Sequence, residues 1–291
     1  MPTPHALPRL SPLALPRHLP RLAAIAALSL LTATTALAQE PGADATWKAL
    51  KPDVFGEQPI AEASPLVRLT APVRAEDAAM VPIEAEVMLP AGDTRTVKKL
   101  TLIVDENPAP VAATFSFGGA RHDVTLGTRL RVNSYSYIRA VAELSDGSLH
   151  MGARYVKASG GCSAPALKDE EQALKNIGQM KLRVVEDGNA GVSSGDATQA
   201  NRLSRLQLMI RHPNYSGLQM DQVTRLYIPA KFVDNIEVKQ GDELVFSMVG
   251  GISLSEDPAI QFSYEPTGQE IDVRAADTDG RSFEGALKPA G

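Results

Sequence analysis

One cysteine, one tryptophan and five histidines stand in 291 residues, and each scarcity excludes a class of protein. A lone Cys162 closes no internal disulfide, so a disulfide scaffold is excluded. Only His122, His150 and His212 lie beyond residue 38, widely separated and without a neighbouring cysteine. That is short of the three or four clustered ligands that a zinc or copper site uses. The chain has no Gly-x-Ser-x-Gly, no phosphate loop and no dinucleotide fingerprint. Basic residues are outnumbered, 29 against 34 acidic ones, which leaves no positive field for nucleic acid or anionic lipid. The apolar run over residues 22–31 is about half the roughly 20 residues that cross a bilayer. Acidic pairs such as Glu84/Glu86 and Asp277/Asp279 read as solvated strand faces and turns. Enzymatic chemistry, a resident cofactor and a metal are therefore not expected.

What is present begins with a leader. The only charges in residues 1–38 are Arg9, Arg17 and Arg21; the apolar run follows them, and Ala36-Leu37-Ala38 closes the segment with small residues at its two ends. This is the pattern of a signal peptide cleaved before Gln39, so export to the periplasm is expected. Losing three arginines takes the formal charge from −5 to −8. The whole chain is 44% hydrophobic and 22% charged, enough apolar matter to bury a core without covalent staples.

Alternation of period two dominates the rest. In Val81-Pro-Ile83-Glu-Ala85-Glu-Val87-Met-Leu89 the odd positions are apolar and most even ones polar, the mark of a half-buried strand. The pattern recurs at Leu100/Leu102/Val104, Phe115/Phe117, Leu130/Val132 and Ile138/Ala140. After a break it resumes at Leu182/Val184, Leu206/Leu208/Ile210, Ile236/Val238, Leu244/Phe246/Met248, Ile260/Phe262/Tyr264 and Ile271/Val273/Ala275. The expected fold is all-β: two Ig-like antiparallel sandwiches over residues 39–157 and 180–291, packed across an apolar interface. Between them, residues 158–179 read as a small-residue tether with a short helix at 167–177. Residues 186–201, rich in Gly, Ser and Asp, read as a mobile loop. Asn214-Tyr-Ser216 matches a glycosylation acceptor, a pattern common by chance.

The residue with chemistry is Cys162. In a secreted chain such a thiol is a buried small residue, an intermolecular partner or a reactive group. Its neighbours Gly160, Gly161, Ser163 and Ala164 offer no large apolar side chain, and the paired glycines remove side-chain obstruction to an approaching partner, so an exposed thiol of pKa ~8.5 is expected. Lys157 and Lys168 lie within reach along the chain. Catalysis by Cys162 as a nucleophile needs a base, which only folding could supply from His150 or His212.

Several linked motifs then resemble one family. Trp47-Lys-x-Leu50, Val54-Phe-Gly56, Leu69-x-Ala-Pro72-x-Arg-Ala-Glu-Asp77, Val104-Asp-Glu-Asn-Pro-Ala-Pro110, Thr128-Arg129-x-Arg131-Val132 and Gly160-Gly-Cys162 resemble SoxY, the thiol carrier of periplasmic thiosulfate oxidation. His212-Pro213, Gly217, Ile228-Pro-Ala-Lys-Phe232, Ile252-Ser253-x-Ser255 and Asp257-Pro258 resemble its partner SoxZ. The whole is similar to fused SoxYZ-like carriers associated with quinoprotein dehydrogenases. The resemblance implies that Cys162 holds a sulfur intermediate covalently while Gly160, Gly161 and Ser163 act as its arm, and that periplasmic enzymes, a cytochrome or a quinoprotein dehydrogenase, act on it. Departures accompany it: the usual Gly-Gly after the cysteine is Ser163-Ala164, and the usual His-Pro-Met-Glu-x-Gly is His212-Pro-Asn-Tyr-Ser-Gly217. The rival reading is a non-covalent adaptor or chaperone for a periplasmic quinoprotein or cytochrome, with Cys162 incidental.

Overall fold

The strand over Val81–Met88, the clearest alternation in the sequence, buries Val81, Ile83, Ala85 and Val87 and turns its even positions outward. A computed structural model of the chain describes residues 43–165, 174–185 and 203–289. The expected leader, most of the helix expected at 167–177 and the loop expected at 186–201 lie outside the described residues. In chain order the first half supplies helix α1 (Ala43–Phe55) and strands β1 (Ile60–Ala61), β2 (Val67–Thr70), β3 (Val81–Met88) and β4 (Val97–Val104). Strands β5 (Val111–Phe117), β6 (Asp123–Leu130), β7 (Ser136–Leu144) and β8 (Leu149–Val156) complete it. The second half supplies β9 (Met180–Val185), β10 (Ser204–Ile210), β11 (Val233–Gln240) and β12 (Glu243–Gly250). It ends with β13 (Ala259–Tyr264), β14 (Ile271–Asp277) and β15 (Ser282–Leu287).

These strands form two sheets, one ordered β1-β8-β7-β4-β5-β12-β11-β14-β15 and the other β2-β3-β6-β13-β10-β9. The all-β sandwich stands as expected. The two halves share an apolar core, as expected of sandwiches packed across an apolar interface, and they are also joined by hydrogen bonding, since both sheets run through both halves. Strand β5 pairs antiparallel with β12, Phe115 opposite Met248, and β6 pairs with β13, Leu126 opposite Phe262. Edge strands carry rows of unpaired N–H and C=O groups, and joining edges satisfies them. Beneath the seam one apolar core contains residues of both halves, with Phe246 in edge contact with Phe115 and Phe262 at centroid distances of 5.6 and 5.0 Å.

Alternation fails in β4, where Leu100, Leu102 and Val104 face this core while Ile103 is equally buried on the other side. Helix α1 is the cause: its Trp47 packs with Ile60, Ile103, Val141, Leu149 and Met151 in a second apolar cluster. Arg139 stacks over the Trp47 ring at 4.4 Å and donates to both carboxylate oxygens of Asp105 at 2.7 to 2.9 Å. A buried charge pair of this kind holds only with full hydrogen bonding, which the bidentate geometry provides.

Candidate functional site around the Cys162 turn

After β8 the chain turns sharply over residues 160–163. Gly160 has φ +80°, a conformation that side-chain-bearing residues rarely adopt, and a Cβ on Gly161 would lie 2.0 Å from the carbonyl oxygen of Ala78 and 2.7 Å from that of Val132. The main chain is pinned as well: Gly160 N–H donates to Asn133 O at 2.8 Å and Gly161 N–H to Val132 O at 3.0 Å. Of the three positions expected to form a flexible arm, Gly160 supplies the positive φ of the turn, Gly161 a close backbone approach, and Ser163 lies at its rim. Ser163 itself is exposed, with its hydroxyl on Gly160 O.

Cys162 is fully buried, which corrects the expectation of an accessible thiol. Its sequence neighbours are indeed small; the cover comes from far along the chain. Ser216 Oγ donates to Cys162 O at 2.5 Å, Gln219 Nε2 to Ala164 O at 2.9 Å, and Arg131 Nη1 to Gly161 O at 3.2 Å. Arg131 also spans the seam, its Nη2 donating to Asn214 O at 3.2 Å. Cys162 belongs to neither apolar cluster. Burial pushes its thiol up to about 11, and the nearby Arg131 charge pulls it back only in part. The same burial lowers the pKa of Arg131, whose charge is in turn supported by Cys162, Glu256 and Asp77.

The loop that supplies Ser216 is itself rigidly built. Residues 212–216 are all buried, in a turn where Asn214 has φ +43° and Gly217 φ +83°. His212 Nδ1 accepts from Asn214 N–H at 3.0 Å, which keeps the ring proton on Nε2, facing Asp277 Oδ2 at 3.4 Å. Asn214 Oδ1 accepts from Val233 N–H at 3.1 Å, so the Asn214-Tyr-Ser216 triplet forms a buried turn instead of a glycan acceptor. Beyond Gln219 the chain is open, with Val223, Leu226 and Tyr227 exposed.

Neither histidine weighed as a base for Cys162 serves it. Both ring nitrogens of His212 face Asn214 and Asp277, and those of His150 face Ser64 and Ser148 at 3.0 and 3.2 Å. Among the described residues no group of three His, Cys, Asp or Glu is placed to hold a metal. Sequence reasoning found Cys162 and placed Arg131, His212 and Ser216 within motifs, but assigned no function to Arg131 or Ser216 and passed over Gln219. No local signal marks a residue that hydrogen-bonds a backbone 55 positions away.

The family model "Sulfur oxidation protein SoxY" matches residues 51–162, ending on Cys162, and "Sulphur oxidation protein SoxZ" matches residues 193–288. The chain belongs to the SoxYZ family. It is a SoxY domain followed in the same polypeptide by a SoxZ domain, a family of sulfur-oxidation carriers. The seam described above is thus the SoxY–SoxZ junction made intramolecular, and the Cys162 turn of the SoxY domain sits on the 212–219 loop of the SoxZ domain. Among solved structures, the sulfur carrier protein SoxY from Chlorobium limicola f thiosulfatophilum is 23% identical over 40% of this chain and 94% of its own, with a TM-score of 0.34. A superoxide reductase (neelaredoxin) from Ignicoccus hospitalis is 14% identical over 34% of this chain and 94% of its own, with a TM-score of 0.28. No curated protein matches the chain.

Proposed function

We propose that this SoxYZ protein carries a sulfur-containing group covalently on Cys162, seated as described here between reactions and swung outward to meet partner enzymes. The observation that carries the reading is the nature of the burial: Cys162 lies outside both apolar cores, beside a buried guanidinium, in a turn gripped across the SoxY–SoxZ seam. A cysteine that merely fills space sits among carbon atoms, whereas a cation beside a thiol favours its anionic forms. Each side-chain bond to the turn is worth about 1 kcal/mol net, so a docking partner has enough binding energy to release it. The exposed Val223, Leu226 and Tyr227, just beyond the Gln219 contact, suit such docking. The leader over residues 1–38 supports a periplasmic setting. The resemblance to quinoprotein-associated carriers nominates a cytochrome or quinoprotein dehydrogenase as partner.

One observation favours a non-covalent adaptor instead: a thiol held near pKa 11 is unreactive while seated. Intact-mass measurement on protein from its native host separates the two. A carrier shows a sulfur adduct on the peptide containing Cys162, and Cys162→Ser abolishes the sulfur-dependent activity of its pathway. An unmodified thiol under all growth conditions, with a fully active Cys162→Ser strain, identifies an adaptor.

A further inference from the structure

Exposed apolar side chains are unevenly spread over this molecule. Eleven large ones stand in solvent among the described residues, and five of these, Leu218, Met220, Val223, Leu226 and Tyr227, fall within ten residues. That stretch is a hairpin, closed by main-chain bonds from Asp221 N–H to Leu226 O and from Ile228 N–H to Gln219 O, both 2.9 Å. Asp221 fixes its tip, Oδ1 accepting from Val223 N–H, Thr224 N–H and the Thr224 hydroxyl at 2.6 to 3.1 Å, and Arg225 takes φ +61°. The one carboxylate of the hairpin is thereby occupied by its own turn. Two more of the eleven, Val73 and Tyr135, lie on the SoxY side. Val73 O accepts from Lys157 N–H at 2.9 Å, and Tyr135 stands two residues beyond Asn133, whose carbonyl accepts from Gly160 N–H at 2.8 Å. Gln219, fully buried between the exposed Leu218 and Met220, ties the hairpin to the turn through Ala164 O. Seven of the eleven thus gather about the Cys162 turn and the strand end leading into it, from both domains. Single exposed apolar residues are ordinary, whereas a cluster left in water marks an interaction site.

We propose that the hairpin over residues 218–228, with Val73 and Tyr135, is one docking surface for a second folded protein that presents a concave apolar face and grips the SoxY and SoxZ domains together. This deepens the carrier reading and rests on its requirement that partner enzymes meet the turn. The surface is continuous with the SoxY–SoxZ seam through Gln219 and Ala164, so a protein seated on it straddles that seam. A projecting hairpin calls for a concave partner, and one already held by its own hydrogen bonds loses little freedom on binding. An anionic bilayer suits the surface poorly, because the chain is acidic overall at −5. A second copy docked here would shut both Cys162 turns away.

The test places the photo-crosslinking residue p-benzoylphenylalanine singly at Val223, at Tyr135 and, as a control, at Met88, in the full chain expressed in its native host. Met88 is also exposed but lies at the opposite end of β3 from the segment carrying Val73. Val223 and Tyr135 should crosslink to one and the same protein, and Met88 should not. That protein, purified, should bind the mature chain about tenfold or more weakly when Val223→Asp and Leu226→Asp are combined. Met88→Asp should change the affinity by less than about twofold. Val223 and Leu226 are 90% and 69% exposed, so the double variant should keep its fold, which circular dichroism checks. Crosslinks only to lipid or to a second copy of the chain, the absence of a shared protein target, or an affinity that the double variant leaves unchanged overturns the docking surface. Cys162→Ser separates this from the carrier reading, since a surface that recognises shape and apolar area should crosslink unchanged in that variant. Intact crosslinking without any sulfur adduct on Cys162 removes the carrier and leaves the surface; an adduct without crosslinking does the reverse.

Discussion

A thiol with no local shield is nevertheless closed off here, and the consequence is measurable at the level of single groups. With its pKa pushed up to about 11 against about 8.5 for a free cysteine, seated Cys162 has a thiolate fraction at neutral pH lower by roughly 300-fold. Labelling of native protein with a disulfide reagent should accordingly run roughly 300-fold slower than with free cysteine at pH 7.5. It should also keep rising with pH beyond 9.5, where a free thiol has levelled off. A rate equal to that of free cysteine contradicts the seated state. His212 gives a second prediction. Burial lowers its pKa in the folded protein, outweighing Asp277, so the unfolded chain takes up a proton near pH 6.5 that the folded one refuses. The stability due to neutral His212 is complete above 6.5 and lost as pH falls below it. Urea midpoints at pH 7.5 and 5.5 should differ more for the native sequence than for His212→Asn, which has nothing to protonate there. His150, shifted the same way, contributes equally to both proteins and cancels.

At the scale of elements, the turn after β8 and the loop between β10 and β11 act as latch and catch. Ser216→Ala removes the donor to Cys162 O and should raise Cys162 labelling about fivefold, the factor corresponding to a net hydrogen bond of about 1 kcal/mol. Adding Gln219→Ala should raise it further, and an unchanged rate in the double variant would show that these contacts do not hold the turn. Gly161→Ala should act more strongly. Its methyl group cannot coexist with the Ala78 carbonyl, so the turn cannot seat and the thiol should react close to the free-cysteine rate. At the other end of the SoxY domain, helix α1 shows the same economy, since one side chain, Trp47, brings the outer face of β4 and β7 into a second core.

For the molecule as a whole, both sheets are continuous through the SoxY and SoxZ domains, so the described residues of the two should unfold together. Phe246 of the SoxZ domain lies at the seam between Phe115 and Phe262, fully buried. Phe246→Ala should cost about 3–5 kcal/mol through lost contacts and a cavity. Trp47, the sole tryptophan, sits at the far end of the SoxY domain, so its fluorescence tests the coupling. The Trp47 transition in urea should move to lower denaturant together with the far-ultraviolet circular dichroism. A Trp47 midpoint untouched by Phe246→Ala would mean that the domains unfold separately.

The alternation at Val81, Ile83, Ala85 and Val87 was readable residue by residue, because the face a strand side chain occupies follows from its own position in a period of two. The all-β class followed from local pattern in the same way, whereas the SoxY and SoxZ domains, and the weight given to Cys162, came from resemblance to a family. The helix over Trp47 and the short strands β1, β2 and β15 were not legible, being brief or lacking clean alternation. Two larger features arose only on folding. Strand edges pair through the backbone, which every residue shares, so no side-chain pattern announces that β5 joins β12 and β6 joins β13. The closure of Cys162 depends on Arg131, Ser216 and Gln219, the last two more than fifty residues away, and exposure is a property of what packs against a residue, whatever stands beside it in the chain.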